Sequence, residues 1–374
     1  MTSVQTVPRL LPTYARLDVT FTDGSGSWLV DRDGKRYLDL LAGIAVVGLG
    51  HCHPAPLAAA HAQLERLWHT SNLYSTEPME ELAQKLSDRF GGASAFFCNS
   101  GAEAVEAALK WARKATGRSE IVALDGSFHG RTLGALSVTG QPAKRAPFEP
   151  LVPHARFATP DTLAAHVGPA TAAILLEPVQ GEGGVHPLPR AVLEHARALA
   201  DEHGALLVLD EVQTGVGRSG AFFAWQRLGV TPDAVTLAKG LANGLPIGAL
   251  LVADDAPIGF EPGDHASTFG GNPVACAAAC AVVDTVDDAL LAHVRALSER
   301  FAQALPVRGL GLLLALDTRQ PAAEIVTAAL ENGLAIGSAG PHTIRLTPPL
   351  TLSLDEADLA ISLLREVCPE ARAA

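Results

Sequence analysis

Charge is scarce in this chain of 374 residues: Asp, Glu, Lys and Arg together make up 18%, against 48% hydrophobic residues. Such a balance excludes a disordered chain, and the length suffices for a large core and more than one domain. Positive charge is the scarcer sign, leaving a formal net charge of −12. That argues against nucleic acid or an anionic membrane surface as a partner, while leaving room for a locally positive pocket that binds small anions. Cysteine is sparse as well. Five residues, an odd number with no CxxC pair, fit a reducing cytosol better than a disulfide framework. Cys276 and Cys280, on one face of VACAAACAVV, read as small core residues. No charged segment followed by a long apolar core opens the chain, so no signal peptide is expected. Residues 40–64 lack Asp, Glu, Lys and Arg, but His51, His53, Pro54, Pro56 and several glycines rule out a continuous spanning helix. The expectation is a cytoplasmic protein without membrane contact.

What is present is a regular alternation. Residues 16–40, RLDVTFTDGSGSWLVDRDGKRYLDL, alternate apolar and polar positions around Asp23-Gly24 and Asp33-Gly34, which predicts a β-meander outside the main sheet. From about residue 77, amphipathic helices (EPMEELAQKLSDRF, SGAEAVEAALKWARKATG) alternate with apolar runs (SAFFCN, EIVALD, TAAILLEPV, ALLVLDEV, DAVTLA, IGALLVA). Runs of that kind predict a mostly parallel sheet covered on both faces. Alanine-rich helices follow from 273, then RGLGLLLALD and TIRLTPPL as strands and DEADLAISLLREV as a last helix. We expect an N-terminal meander (1–50) joining a smaller domain, a large α/β domain (51–272) and a C-terminal small α/β domain (273–374).

Several strand ends carry chemistry. Lys239, alone in the uncharged run VTLAKGLANGLPIGAL, is placed at a sheet rim where a shielded amine becomes nucleophilic; in isolation the usual reading would be a lysine capping a strand or helix end. Ser100-Gly101-Ala102 opens a helix whose free N–H groups suit a phosphate, although an ordinary cap explains it as well. Phe128 and Arg131 follow a strand, where a ring can stack and a guanidinium can hold a carboxylate, although in isolation a loop with a solvated arginine is the preferred reading. Asp210 and Glu211 end a buried strand, which is costly without a cationic or metal partner. No GxxxxGK[ST] supports a nucleotide-hydrolase reading. Gly215–Gly220 matches GxGxxG, but the neighbouring acids and the weak following helix favour a flexible loop over a dinucleotide site. Glu182 lies in a glycine-rich turn, and Arg345 alternates with apolar residues in TIRL; paired, they would make a switchable carboxylate site. His51-Cys-His53-Pro54 has metal-like spacing without a supporting cluster, so a structural turn and no metal are expected.

Together GHCHP, NSGAEAVEAALK, FHGRT, EPVQGEGG, LDEVQTGVGRSG, LAKGLANGLPIGA, STFGGNP and RGLGLLLALD resemble, in order and over nearly the whole chain, the class III (ornithine-type) aminotransferases. The resemblance implies a fold type I transferase with pyridoxal 5′-phosphate as cofactor. Lys239 would carry the cofactor as a Schiff base, and Asp210 would keep the ring nitrogen protonated, making the ring an electron sink. Phe128 would stack on the ring, Gln213 would lie near its phenolic oxygen, and Glu211 and Val212 would flank it. Ser100, Gly101 and Ala102 would hold the phosphate, Ala102 through its backbone, since many relatives have Thr there. Thr268 and Ser267 resemble a pair that reaches across a dimer interface, to the partner's phosphate and towards substrate respectively. A homodimer with shared active sites follows.

Within the family, GIAVVGLGHCHP and FHGRT look most like the acetylornithine branch. Arg131 would bind the substrate's α-carboxylate. The tyrosine that ornithine δ-aminotransferases typically carry near 44–46 is absent, which suits an acylated α-nitrogen. Glu182 would pair with Arg345 while the acylated donor is bound, and release it for the second carboxylate of glutamate or 2-oxoglutarate. The implied reaction moves the terminal amine of N2-acetyl-L-ornithine to 2-oxoglutarate, giving N-acetyl-L-glutamate 5-semialdehyde and glutamate, in arginine biosynthesis. The alternatives are another ω-amine donor (succinylornithine, a carrier-linked lysine precursor, ornithine or 4-aminobutyrate), a same-fold aminomutase, or a catalytically silent cofactor-binding protein.

Overall fold

Short, β-branched and leucine-rich segments with no room for polar side chains form the middle of a seven-stranded sheet. In the computed structural model, which describes residues 9–372, its order is Ala93–Cys98, Gly248–Ala253, Ala234–Leu237, Leu206–Asp210, Thr171–Leu176, Glu120–Leu124, Ala155–Ala158. Gly248–Ala253 pairs antiparallel with both neighbours, whereas the other pairings are parallel. Every residue of Thr171–Leu176 and Leu206–Asp210 is buried, as expected for strands covered by helices on both faces. The edge strand Ala155–Ala158 carries no such signal in its sequence, ARFA, because it is mostly half-exposed.

Helix Gly101–Thr116 covers one face, with Ala104, Val105, Ala107, Ala108, Trp111 and Ala112 buried. Small residues on that stripe let it lie close to the strands. Helix Pro273–Thr285, rich in alanine for the same reason, packs against Pro54–Leu64 and Glu77–Phe90. Its buried residues join the larger core, which runs from Leu49 to Leu291. The helix expected to open the C-terminal domain therefore belongs to the larger core, with Cys276 and Cys280 inside it.

A second core contains Leu38 and Leu40 together with residues between Val294 and Ala371. Its two four-stranded sheets are the N-terminal meander closed by Leu334–Ala335, and a C-terminal sheet of Arg308–Leu310, Leu313–Asp317, Thr343–Leu346 and Gly337–Ser338. Two turns differ from expectation. Asp33-Gly34 turns as predicted, but Asp23-Gly24 lies within strand Phe21–Ser25, and the first hairpin reverses at Gly26 and Ser27. Gly24 is needed for close approach: a Cβ there would fall 2.9 Å from His51. The run RGLGLLLALD splits into a hairpin at Gly311, where φ is +61°. A Cβ on Gly311 would lie 2.3 Å from the Arg218 carbonyl.

That contact corrects another expectation. The glycine-rich segment at 215–220 is no flexible loop; it is buried throughout. Arg218 donates to the carbonyls of Leu312 (3.1 Å) and Pro348 (2.5 Å), joining the two cores. The structural reading of His51-Cys-His53 is the one observed: His51 Nε2 meets Asp39 Oδ2 at 2.7 Å, and His53 caps the helix Pro54–Leu64. Among the described residues no cluster of His, Cys, Asp and Glu suits a metal, and no helix is long and apolar enough to cross a membrane.

The two chain ends are stitched by Glu356. Its carboxylate accepts from Trp28 Nε1 (2.8 Å), Ser27 Oγ (3.2 Å) and Ser353 N (2.9 Å). Glu356→Ala leaves these donors short of an acceptor and is expected to cost about 1–3 kcal/mol of stability, with turnover at low temperature unchanged; chemical denaturation beside an activity assay checks both.

Candidate active site

Four parallel strands deliver their carboxyl ends to one crevice, where ligands bind in open α/β sheets. Glu120–Leu124 leads into Phe128 and Arg131, Thr171–Leu176 into Glu177, Leu206–Asp210 ends on Asp210, and Ala234–Leu237 leads into Lys239. The resulting cleft, of about 390 Å³, is lined by Ser100, Gly101, Ala102, Phe128, Arg131, Glu182, Asp210, Val212, Gln213 and Lys239 among others. Arg345 enters from Thr343–Leu346 of the smaller core.

At the floor, Asp210 is fully saturated on one oxygen. Its Oδ1 accepts from Thr236 Oγ1 (3.0 Å) and from Val212 N (3.1 Å). Its Oδ2 lies 2.7 Å from His129 Nδ1, which must be the protonated nitrogen because a carboxylate only accepts. Oδ2 keeps a second lone pair for a donor in the cleft. His129 is itself buried, and its Nε2 has no partner among the described residues. His129 stands within the FHGRT motif but carries no assigned role there. The signal for it was the rule that a carboxylate ending a buried strand needs a partner.

Lys239 opens the turn Lys239–Ala242 with a left-handed φ of 39°. Its amine has no ion pair or hydrogen bond among the described residues. Burial lowers its pKa; Asp210 and Glu182 oppose that, while Arg345 adds to it. The turn is fixed by Asn243, which accepts from Leu49 N (2.8 Å) and donates to the Gly50 carbonyl (2.9 Å). The same chain segment brings Val46 to the cleft wall.

Opposite the floor, Ser100 caps the helix Gly101–Thr116 by accepting from Glu103 N (3.2 Å), and donates to the Glu103 carboxylate (3.0 Å). Its hydroxyl is thus engaged, and the helix end offers the backbone N–H groups of Gly101 and Ala102, which have no partner within the helix. Gly101 must be glycine, since a Cβ would come within 2.7 Å of Val212. Gly130 packs as tightly on Ala102, at 2.9 Å.

At the cleft mouth Arg345 Nη1 donates to Glu182 Oε1 at 2.5 Å, with Gln213 Oε1 at 3.5 Å. Arg345 is almost completely buried and Glu182 about a quarter exposed. Burial alone would raise the Glu182 carboxyl, but Arg345, with Lys239 and Lys144, holds it below its ordinary value. Behind them Glu177 is buried and accepts from Phe128 N (2.9 Å) and Gly181 N (3.1 Å). Burial pushes its carboxyl up to about 7, against the pull of His129.

Not every expected residue is in the cleft. Glu211 points away, its carboxylate accepting from Ala224 N and Trp225 N at 2.6 and 2.9 Å, so it caps the helix Ala224–Leu228. Ser267 lies beside the phosphate end, accepting from Asn99 Nδ2 at 3.2 Å. Thr268 is exposed, outside this cleft.

A model of the Aminotransferase class-III family matches residues 12–368. The chain belongs to the class-III aminotransferases. It is 48% identical to an acetylornithine aminotransferase of Corynebacterium efficiens, over 97% of this chain and 96% of that one. Among solved structures, an N-acetylornithine aminotransferase of Stenotrophomonas maltophilia is 35% identical, with a TM-score of 0.80 over 94% of this chain and 95% of that one. The ornithine aminotransferase of Toxoplasma gondii, described with partial occupancy of PLP at its active site, is 30% identical, with a TM-score of 0.91 over 98% and 94%. The fold is that of the fold type I transferases.

Class-III aminotransferases take pyridoxal 5′-phosphate, and the cleft fits it. Oδ2 of Asp210 has an acceptor site for a ring N–H, the Gly101 end has free donors for a phosphate, and the Lys239 amine is uncommitted. The depressed pKa of Lys239 has a measurable consequence. In the apo-protein, reaction of its amine with pyridoxal phosphate should quicken as pH rises and level off below the 10.5 of an ordinary lysine. Glu182→Gln removes a carboxylate that favours the ammonium, and should move that midpoint lower; reconstitution followed by absorbance reads both.

Proposed function

We propose that this class-III aminotransferase acts on N2-acetyl-L-ornithine, moving its terminal amine to 2-oxoglutarate in arginine biosynthesis. The observation that carries the reading is the Glu182–Arg345 pair at the mouth of a cleft that also holds Arg131. One carboxylate site is permanently open, and the second is closed by an internal carboxylate. A donor with a single carboxylate and an uncharged acyl group leaves the internal pair intact. Glutamate or 2-oxoglutarate displaces Glu182 and takes Arg345 through both guanidinium nitrogens. Val46 on the wall supports an acylated rather than charged α-nitrogen, because it offers no acceptor for an ammonium. The acetylornithine aminotransferases among the relatives support the same substrate.

Bound pyridoxal phosphate supplies an electron sink for the carbon that carries the amine. The chain does the rest. Phe128, Gln213 and Val212 line the cleft and would hold the ring. Asp210, held by His129 and Thr236, would accept from the ring N–H. The Lys239 amine, its pKa lowered by burial, takes the proton from the donor's amine-bearing carbon and later returns one, acting as base and then acid. Arg131 holds the α-carboxylate so that this carbon stays within reach of Lys239 Nζ.

The working unit in this reading is a homodimer with shared active sites, in the cytoplasm. Support comes from Thr268, which is exposed outside its own cleft, and from the exposed Trp68, Leu73, Tyr74 and Phe269, large apolar side chains of the kind an interface covers. Thr268 would then reach the partner's phosphate site, and Ser267 the substrate. The two cores would act as a large domain and a small one built from both chain ends.

Comparing kcat/KM for acetylornithine with succinylornithine, ornithine and 4-aminobutyrate tests the substrate; a larger value for any of these would replace it. Lys239→Ala should lower turnover by about a thousandfold or more while the phosphate site still binds cofactor, read by assay and by equilibrium dialysis. Glu182→Ala leaves Arg345 permanently open, and should shift preference about tenfold or more from acetylornithine towards dicarboxylates; an unchanged ratio would remove the switch.

A further inference from the structure

The Phe128 ring is flanked by two cations. The Arg131 guanidinium carbon lies 5.5 Å from the ring centroid, and the Lys144 ammonium lies 5.3 Å from it. Lys144 sits on a single helical turn, Pro142–Arg145, which is firmly tied to the loop carrying Phe128. Gly126 N donates to the Gly140 carbonyl (2.8 Å), Gly140 N to Ser127 Oγ (3.1 Å), and Gln141 Nε2 to the Gly126 carbonyl (3.1 Å). Gly140 has no room for a side chain, since a Cβ would fall 2.1 Å from the Leu124 carbonyl. On the other side, Arg145 stacks over the Phe157 ring at 4.0 Å. The backbone at Lys144 is thus held from both directions, while its unpaired side chain reaches Phe128.

Its electrostatic setting is unusual for a lysine near the surface. It is half-buried and has no ion pair or hydrogen bond among the described residues. The charges acting on it are Glu182, which favours its ammonium, and Arg131 and Arg345, which disfavour it; with burial the largest cause, its pKa falls below that of an ordinary lysine. Glu182 is already committed to Arg345. The rim therefore carries a surplus of positive charge that a bound carboxylate neutralises.

We propose that Lys144 is a specificity residue, which holds the donor's α-carboxylate together with Arg131 across the Phe128 ring. The inference rests on the reading of the cleft as a site for α-N-acylated ω-amino acids. The two cations divide the work by their chemistry. Arg131 supplies a planar fork that orients the carboxylate, and Lys144 a compact charge on a flexible stem that follows it. The pair selects amines that bear a carboxylate over amines of the same length that lack one.

The test uses holoenzyme and two donors that share the terminal amine and the acetyl group, N2-acetyl-L-ornithine and N-acetylputrescine, which has no carboxylate. Lys144→Gln should lower kcat/KM for acetylornithine about ten- to a hundredfold, mainly through KM, the effect of losing one charge-assisted contact. Its kcat/KM for N-acetylputrescine should stay within about twofold of wild type, and Lys144→Arg should restore most of the loss. If N-acetylputrescine turns over too slowly, its inhibition constant against acetylornithine supplies the same comparison. An equal loss with both donors would reduce Lys144 to a support for Phe128 and overturn the proposal, as would no loss with either. Wild-type inactivity towards acetylornithine would sink the substrate reading alone, and ornithine against putrescine would then test Lys144.

Discussion

A carboxylate at the end of a fully buried strand has to be held from several sides, and Asp210 is the point on which this protein's chemistry and fold meet. Strand Leu206–Asp210 is central to the sheet, so its last side chain cannot reach bulk water. Isolated there, the charge would cost several kcal/mol and the group would take up a proton instead. His129, Thr236 and the Val212 N–H are its partners, and each comes from a different segment of the chain. Satisfying Asp210 with hydrogen bonds therefore requires the sheet order, the Phe128 loop and the strand before Lys239 all to be in place. The same arrangement that satisfies the acid also aims the lysine and the aromatic ring.

Around the mouth, the problem is reversed. Arg345 is nearly buried, yet its main ionic partner, Glu182, lies in a glycine-rich turn rather than on a strand. Gly181 permits this: a side chain there would collide with Gln213 at 1.9 Å. Glu177, accepting from both Phe128 N and Gly181 N, ties the turn to the loop that presents Arg131. The floor is thus held by the sheet, and the mouth by one ion pair on an anchored turn.

Much of this was readable in the sequence, for identifiable reasons. The strands of the sheet were legible because they are buried on both faces and so contain little but apolar residues, and helices 77–90 and 101–116 because their stripes keep helical period. Lys239, Asp210 and Ser100 stood out as polar residues placed where apolar runs end. What could not be read depends on distant pairing. The edge strand Ala155–Ala158 lacks the apolar run because one side of it faces solvent. A partner for Asp210 was called for, but that it is His129 could not be read, nor that Lys144 lies over Phe128, because both contacts arise from loops folding together. Gly24 and the 215–220 segment read as turn and loop because glycine marks close approach as often as it marks reversal. Glu211 shares a strand end with Asp210, but successive side chains point to opposite faces, so one faces the cleft and its neighbour a helix end.

The backbone at Lys239 adopts a φ of 39°, a region that a lysine enters only under constraint. Conformations of that kind cost about 1–3 kcal/mol and persist where the surroundings enforce them. Glycine would adopt this geometry at no steric cost. At this one position, then, a residue that destroys the chemistry is the one that the local backbone prefers. The backbone and the chemistry thus ask for different residues at the same position.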